Sequence, residues 1–95
     1  MDLSCALKEY VAYLAIERGS AANTVQAYRR DLLRYIRYLA QQDITQPDQV
    51  TRTDVEHYLQ ALSSIELASS SIERATSAIK GFHRFMVAEQ ICASH

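Results

Sequence analysis

Ninety-five residues, 48% of them hydrophobic and 22% charged, describe one small domain with a modest core and exclude wholesale disorder. Two Gly and one Pro in the whole chain favour long helices over strands, which need more turn residues. The formal net charge is −1, no apolar run approaches a membrane span, and no signal-peptide pattern opens the chain.

Residues 3–18 read as a first helix with Leu3, Leu7, Tyr10, Val11 and Leu14 as its apolar stripe, ended by Gly19. Residues 22–42 form the second and most informative helix. Ser20 stands where an N-cap is expected, with Asn23 and Thr24 in the first turn. Val25, Tyr28, Leu32, Ile36 and Leu39 recur at three- and four-residue spacing and fall in one apolar arc. Arg30, Arg34 and Arg37 occupy the opposite face, with Gln26 in line and Arg29 on the flank. Residues 43–50 are a connector marked by Pro47, pinned to the core by Ile44 and Val50.

Thr51 opens a third helix, and Asp54 three residues later makes a short capping box. Val55, Tyr58, Leu59 and Leu62 are its buried side. A serine-rich stretch follows, with Leu67 as an apolar anchor. The fourth helix spans residues 70–89. Ile72, Ala75, Ile79, Phe82 and Met86 line its apolar face. Glu73, Ser77, Lys80 and Arg84 line the other, with Arg74 beside them. Gly81 inside this helix points to close helix packing, or to close approach of a ligand backbone. Leu32 and Ile79 sit mid-arc and are the expected centre of the core. The tail, residues 91–95, carries no clear element and reads as a fragment boundary rather than a natural end. Four amphipathic helices with short connectors predict an all-α bundle.

Charge is segregated along this chain. Residues 29–37 hold four Arg against Asp31 alone, and residues 74–84 hold Arg74, Lys80 and Arg84 and no acid. The acids collect elsewhere, notably at Asp43, Asp48, Asp54, Glu56 and Glu66. A surface field follows local arrangement, so one face can bind a polyanion although the sum is near zero. Arg suits phosphate because its planar fork bonds two oxygens at once.

Catalytic chemistry is not legible. His57, His83 and His95 have no partners at metal-ligand spacing, and there is no Gly-rich phosphate loop. No carboxylate pair suggests acid–base work. No metal and no small-molecule cofactor are expected. Of the six tyrosines, Tyr10, Tyr28 and Tyr58 fall on core faces, and Tyr13, Tyr35 and Tyr38 at amphipathic edges. Cys5 and Cys92 read as free thiols of a cytoplasmic protein rather than a terminal clamp.

The run formed by Ser20, Asn23-Thr24, Tyr28, Arg29-Arg30 and Asp31-Leu32 resembles the core-binding domain of tyrosine recombinases, of the Xer and phage-integrase types. TRTDVEHYLQAL, at residues 51–62, and SSSIERATSAIKGFHRFMVAEQ, at 69–90, are similar to that domain's third and fourth helices. The likeness covers residues 3–91. Three loose motifs in the right order and spacing make it specific.

The resemblance implies a SAM-like integrase N-terminal domain, a four-helix orthogonal bundle that forms half of a C-shaped clamp on double-stranded DNA. The second and fourth helices would meet the major groove, mainly through their N-terminal halves. By position, Thr24, Gln26, Arg29 and Arg30 would lie on DNA from the second helix, and Ser70, Ser71, Arg74 and Arg84 from the fourth. The face arithmetic adds Arg34, Ser77 and Lys80. Gln26 and Arg74 are the candidates for base edges. The family's catalytic residues, including its Tyr nucleophile, belong to a second domain expected to be absent from this chain. Its members recombine as tetramers on DNA, with some contacts through the first helix, so other recombinase subunits are implied partners. This chain is less basic than many relatives. The competing reading is a helical protein–protein interaction module, because fold does not fix function.

Overall fold

A computed structural model describes residues 1–65 and 68–91, which contain four α-helices and no strand. They are α1 (Leu3–Ala12), α2 (Ala22–Gln41), α3 (Arg52–Ile65) and α4 (Ser69–Ala88). The expected all-α bundle is thus observed. The readings made for Leu67, Cys92 and residues 92–95 lie outside the described residues.

The Asp2 carboxylate caps α1 by accepting the Cys5 N–H at 2.8 Å. The α-helix then stops earlier than the periodicity implied. From Tyr13 to Glu17 the chain widens into a π-helical turn, with the Arg18 N–H donating to the Tyr13 carbonyl at 3.1 Å. Gly19, at φ +62°, reverses the chain, a conformation open to Gly without a Cβ penalty. Ser20 is not the N-cap of α2. Its N–H donates to the Leu14 carbonyl at 2.9 Å, which closes the π turn, and Ala21 caps α2 without a side-chain bond.

Helices α2 and α4 form the central pair, and α1 and α3 each pack on both. Leu32 and Leu39 are fully buried and Ile36 nearly so, while Val25 and Tyr28 are half-buried at the near end of the same arc. From α4, Ala78, Ile79, Phe82 and Met86 meet them. Tyr35, expected at an edge, is 0% exposed. Its ring lies 5.1 Å from Tyr58 of α3, and its hydroxyl shares a 2.7 Å hydrogen bond with His83 Nε2 of α4. Burial of α2 by neighbours on several sides widens its core arc beyond the apolar residues alone. The hydroxyl of Tyr35 and the ring nitrogen of His83 satisfy each other inside it.

Gly81 is there for packing. A Cβ at this position would collide with the Tyr10 hydroxyl, so the absence of a side chain makes room for the end of the Tyr10 side chain against α4. Tyr10 also packs on Phe82 and Phe85, with ring centroids 5.7 and 5.2 Å away.

Two helix ends carry no glycine yet use the same C-terminal geometry. After α2, Asp43 takes φ 62°, and the Ile44 N–H donates to the Leu39 carbonyl at 2.9 Å. After α4, Gln90 takes φ 59°, and the Ile91 N–H donates to the Met86 carbonyl at 2.8 Å. Both are Schellman closures. The connector holds a 3₁₀ turn at Pro47–Gln49, with Pro47 and Val50 buried and Ile44 half-buried. The capping box of α3 is formed as expected. Asp54 Oδ2 accepts the Thr51 N–H at 2.8 Å, and Thr51 Oγ1 accepts the Asp54 N–H at 3.2 Å.

Burial raises the pKa of Tyr10 and of Tyr35 above the usual tyrosine value, and pushes Tyr58 up to about 12. A raised folded pKa contributes stability that is complete below the unfolded value of 10.0 and is lost as pH rises through the folded one. The thermal midpoint should therefore fall between pH 10 and pH 12, and tyrosinate absorbance should develop in two phases, the later one with unfolding. A single phase near the ordinary value, with the helical signal intact, would contradict this burial.

Candidate nucleic-acid interface

The outer face of α2 carries a run of exposed arginines. No Pro or Gly interrupts residues 22–41, so the helix holds its arginines in fixed register. Arg30 and Arg34 lie one turn apart, a rise of about 6 Å, and Arg37 follows in the next turn. All four arginines, Arg29, Arg30, Arg34 and Arg37, are exposed. Together with Gln26, Gln41, Leu33 and Tyr38 they line one side of a cleft of about 600 Å³. The other side comes from α3, through Tyr58, Ala61, Leu62 and Ile65. Among the described residues no carboxylate lines this cleft.

A smaller recess of about 70 Å³ continues the cleft toward α4 and shares Arg30, Arg34, Tyr58 and Leu62 with it. Here Ser71 and Arg74 enter from the first turns of α4. Arg74 is clamped in two places on Asp31 of α2, Nε to Oδ2 at 2.7 Å and Nη2 to Oδ1 at 3.0 Å. Asp31 is 10% exposed and Arg74 39%. This fork-to-fork pair ties the two DNA-candidate helices together and neutralises the acid that interrupts the arginine run. Arg74 would have to leave Asp31 before its guanidinium could read a base edge.

The sequence-predicted residues therefore separate into groups. Arg30, Arg34, Ser71 and Arg74 converge on one recess, and Gln26 and Arg29 on the adjoining cleft. Thr24 and Ser70 are exposed in the first turns of α2 and α4. Ser77 and Lys80 are exposed on α4 and line neither space. Arg84 is placed elsewhere, in a depression of about 230 Å³ with Tyr10, Tyr13, Glu17 and Arg18 on the α1 side. The face expected to span both helices is continuous only at the N-terminal end of α4.

Sequence reasoning about this surface missed the wall supplied by α3. Tyr58 was assigned to the core, where it is 3% exposed, yet it also floors both spaces. Ile65, 72% exposed, stands at the cleft edge. An isoleucine on the last turn of α3, at i+3 from Leu62 and i+7 from Tyr58, extends that helix's apolar arc toward this cleft and was the available signal. Among the described residues no group of three or more His, Cys, Asp or Glu is placed to hold a metal ion. Also among them, no helix is long and apolar enough to cross a membrane.

A sequence model described as the phage integrase N-terminal SAM-like domain matches residues 7–90. The chain belongs to this family. It is similar to the tyrosine recombinase XerD of Mycobacterium tuberculosis, with 42% identity over 94 residues, covering 92% of this chain and 30% of that protein. It is likewise similar to the tyrosine recombinase XerD of Oceanobacillus iheyensis, with 36% identity over 93 residues, covering 97% of this chain and 31% of that protein. The chain thus spans about a third of the length of the curated relatives it matches. No solved structure matches it. The fold is accordingly the SAM-like N-terminal domain of an XerD-like integrase, as the helix motifs implied. In that family context the arginine face of α2 and the first turns of α4 are the surfaces to weigh for nucleic acid.

Proposed function

We propose that this chain is the DNA-binding N-terminal domain of a site-specific tyrosine recombinase. It holds duplex DNA through the α2 arginine face and the N-terminal turns of α4 during DNA integration or recombination. The observation that carries this reading is the cleft lined by Arg29, Arg30, Arg34 and Arg37, all four exposed on one helix. Four guanidinium groups on one rigid helix meet a polyphosphate with little loss of side-chain order, because each fork is preorganised for phosphate. Thr24, Ser70 and Ser71 add hydroxyls at helix starts, where an anion is favoured. Strand cleavage and rejoining belong to a catalytic domain outside this chain. The working unit is a tetramer of recombinase subunits on DNA in the cytoplasm, with no cofactor.

Half of a clamp should bind duplex weakly and with little sequence preference, near roughly 10⁻⁴ to 10⁻⁶ M. Fluorescence anisotropy of a labelled duplex at low and at near-physiological salt measures this. Affinity should fall steeply with salt, because phosphate contacts release condensed counterions.

A helical protein–protein interaction module is the second reading. It is favoured by Ile65, a large apolar side chain left 72% exposed at the edge of the arginine cleft. That reading expects duplex binding to be absent even at low salt.

A further inference from the structure

The first turns of α4 carry the hydroxyls offered to DNA, yet the core holds them only lightly. Ala68 caps the helix without a side-chain bond, and Ala75 is the first buried residue of α4. Ser69 and Ser70 are exposed, and Ser71 and Ile72 are half-buried. The Ser71 and Ile72 N–H groups share the Ala68 carbonyl, at 3.1 and 3.3 Å. A helix end with so few anchors is where local opening costs least. The contact with fixed geometry comes from α2. Arg74 donates to Asp31 at two points, 2.7 and 3.0 Å long, and Asp31 is only 10% exposed. A bidentate guanidinium–carboxylate pair sets an orientation as well as a distance. Ser70 and Ser71 precede Arg74 by four and three residues, so all three share one face of α4. The fork therefore sets the rotation at which that face stands beside Arg30, the chain neighbour of Asp31 on α2.

We infer that Asp31 is a positioning residue for DNA binding, whose carboxylate holds the first turns of α4 in register with the α2 arginine face through Arg74. The inference rests on the DNA reading and extends it. An acid inside the arginine run is needed because it makes two helices meet one duplex as a single surface. Arg74 then serves the clamp and not a base edge. Charge alone makes the opposite claim. Removing a carboxylate beside Arg30 raises the positive field toward a polyanion, and takes away a competitor with DNA for Arg74. The two accounts thus differ in the sign of the effect at Asp31.

Asp31→Asn keeps the size of the side chain and removes its charge. At a temperature where both chains are folded by circular dichroism, it should weaken duplex binding about tenfold, the size of one lost hydrogen bond to a charged group. In the free chain, amide hydrogen exchange over residues 72–75 should speed up while Ile79 and Phe82 keep their protection. That pattern separates release of the α4 start from loss of the fold. Ser70→Ala combined with Ser71→Ala should weaken binding in the unmodified chain and cost nothing further in Asp31→Asn, because coupled sites are not additive. Should Asp31→Asn not fold, Arg74→Lys keeps the charge and loses the fork, and the same losses are expected. Unchanged or tighter duplex binding overturns the positioning role and leaves the DNA reading standing. So does binding indifferent to Ser70 and Ser71. Weaker binding overturns the role too if exchange over residues 72–75 is unchanged, or if it rises equally at Ile79, the mark of general destabilisation. A duplex that the unmodified chain ignores at low salt overturns the DNA reading itself, and the positioning role with it.

Discussion

Leu32→Ala or Ile79→Ala should lower the unfolding free energy by about 2–5 kcal/mol, the range for large-to-small changes in a packed core. Both side chains are essentially sealed from solvent, at 0% and 2% exposure, on the helices that pack most closely together. Their neighbours, among them Leu39, Phe82 and Met86, are themselves held by packing on both sides, so the vacated space cannot collapse freely. In a domain of this size, each kcal/mol corresponds to roughly 4–8 °C in the melting temperature. Urea melts read by circular dichroism give the loss directly. Val25→Ala, half-buried at the end of the same arc, should cost clearly less. A loss well below about 1 kcal/mol at both Leu32 and Ile79 would mean that the α2–α4 seam is not the core.

The second large effect concerns binding. Replacing both Arg30 and Arg34 with alanine should weaken duplex binding by about tenfold or more per residue, because each removes a charge-assisted contact. The loss should be the same for unrelated sequences, since phosphate contacts position a protein on the duplex without reading bases. Fold should survive, as both side chains are exposed and the clamp that joins α2 to α4 is made by Arg74 on Asp31. Arg52→Ala is the matched control. Arg52 is exposed at the start of α3, beside Asp54 and Glu56, and lines neither the cleft nor the recess. Its removal should leave affinity within error. Equal losses at Arg52 and Arg30 would mean that binding follows overall charge and not this face.

How far the chain could be read in advance varied with the physics of each feature. Elements governed by their own local sequence were legible. The apolar arcs of α2 and α4 gave Leu32 and Ile79, and Thr51 with Asp54 gave the cap of α3. The arginine stripe was legible for the same reason, since a helix fixes which residues share a face. Features decided by a second element were not. Tyr35 looks like an edge residue until Tyr58 and His83 arrive from α3 and α4 to enclose it. Arg74 looks like a free basic group until Asp31, distant in sequence, is brought against it. Ser20 has the chemistry of an N-cap, but the π turn before it claims its amide. Asp43 and Gln90 perform the helix closure usually assigned to glycine, so composition gave no sign of either. The wall that α3 adds to the arginine cleft follows from tertiary packing alone.

The central claim is that the α2 arginine face neutralises DNA phosphates, and the salt dependence of duplex binding tests it most directly. For the unmodified chain, the logarithm of the association constant should fall linearly with the logarithm of salt concentration, by about 0.9 for each phosphate neutralised. In the Arg30→Ala, Arg34→Ala double variant the slope should flatten by about two contacts' worth, and in Arg52→Ala it should stay as in the unmodified chain. A slope that the double variant leaves unchanged, or a duplex that does not bind even at low salt, would contradict the account.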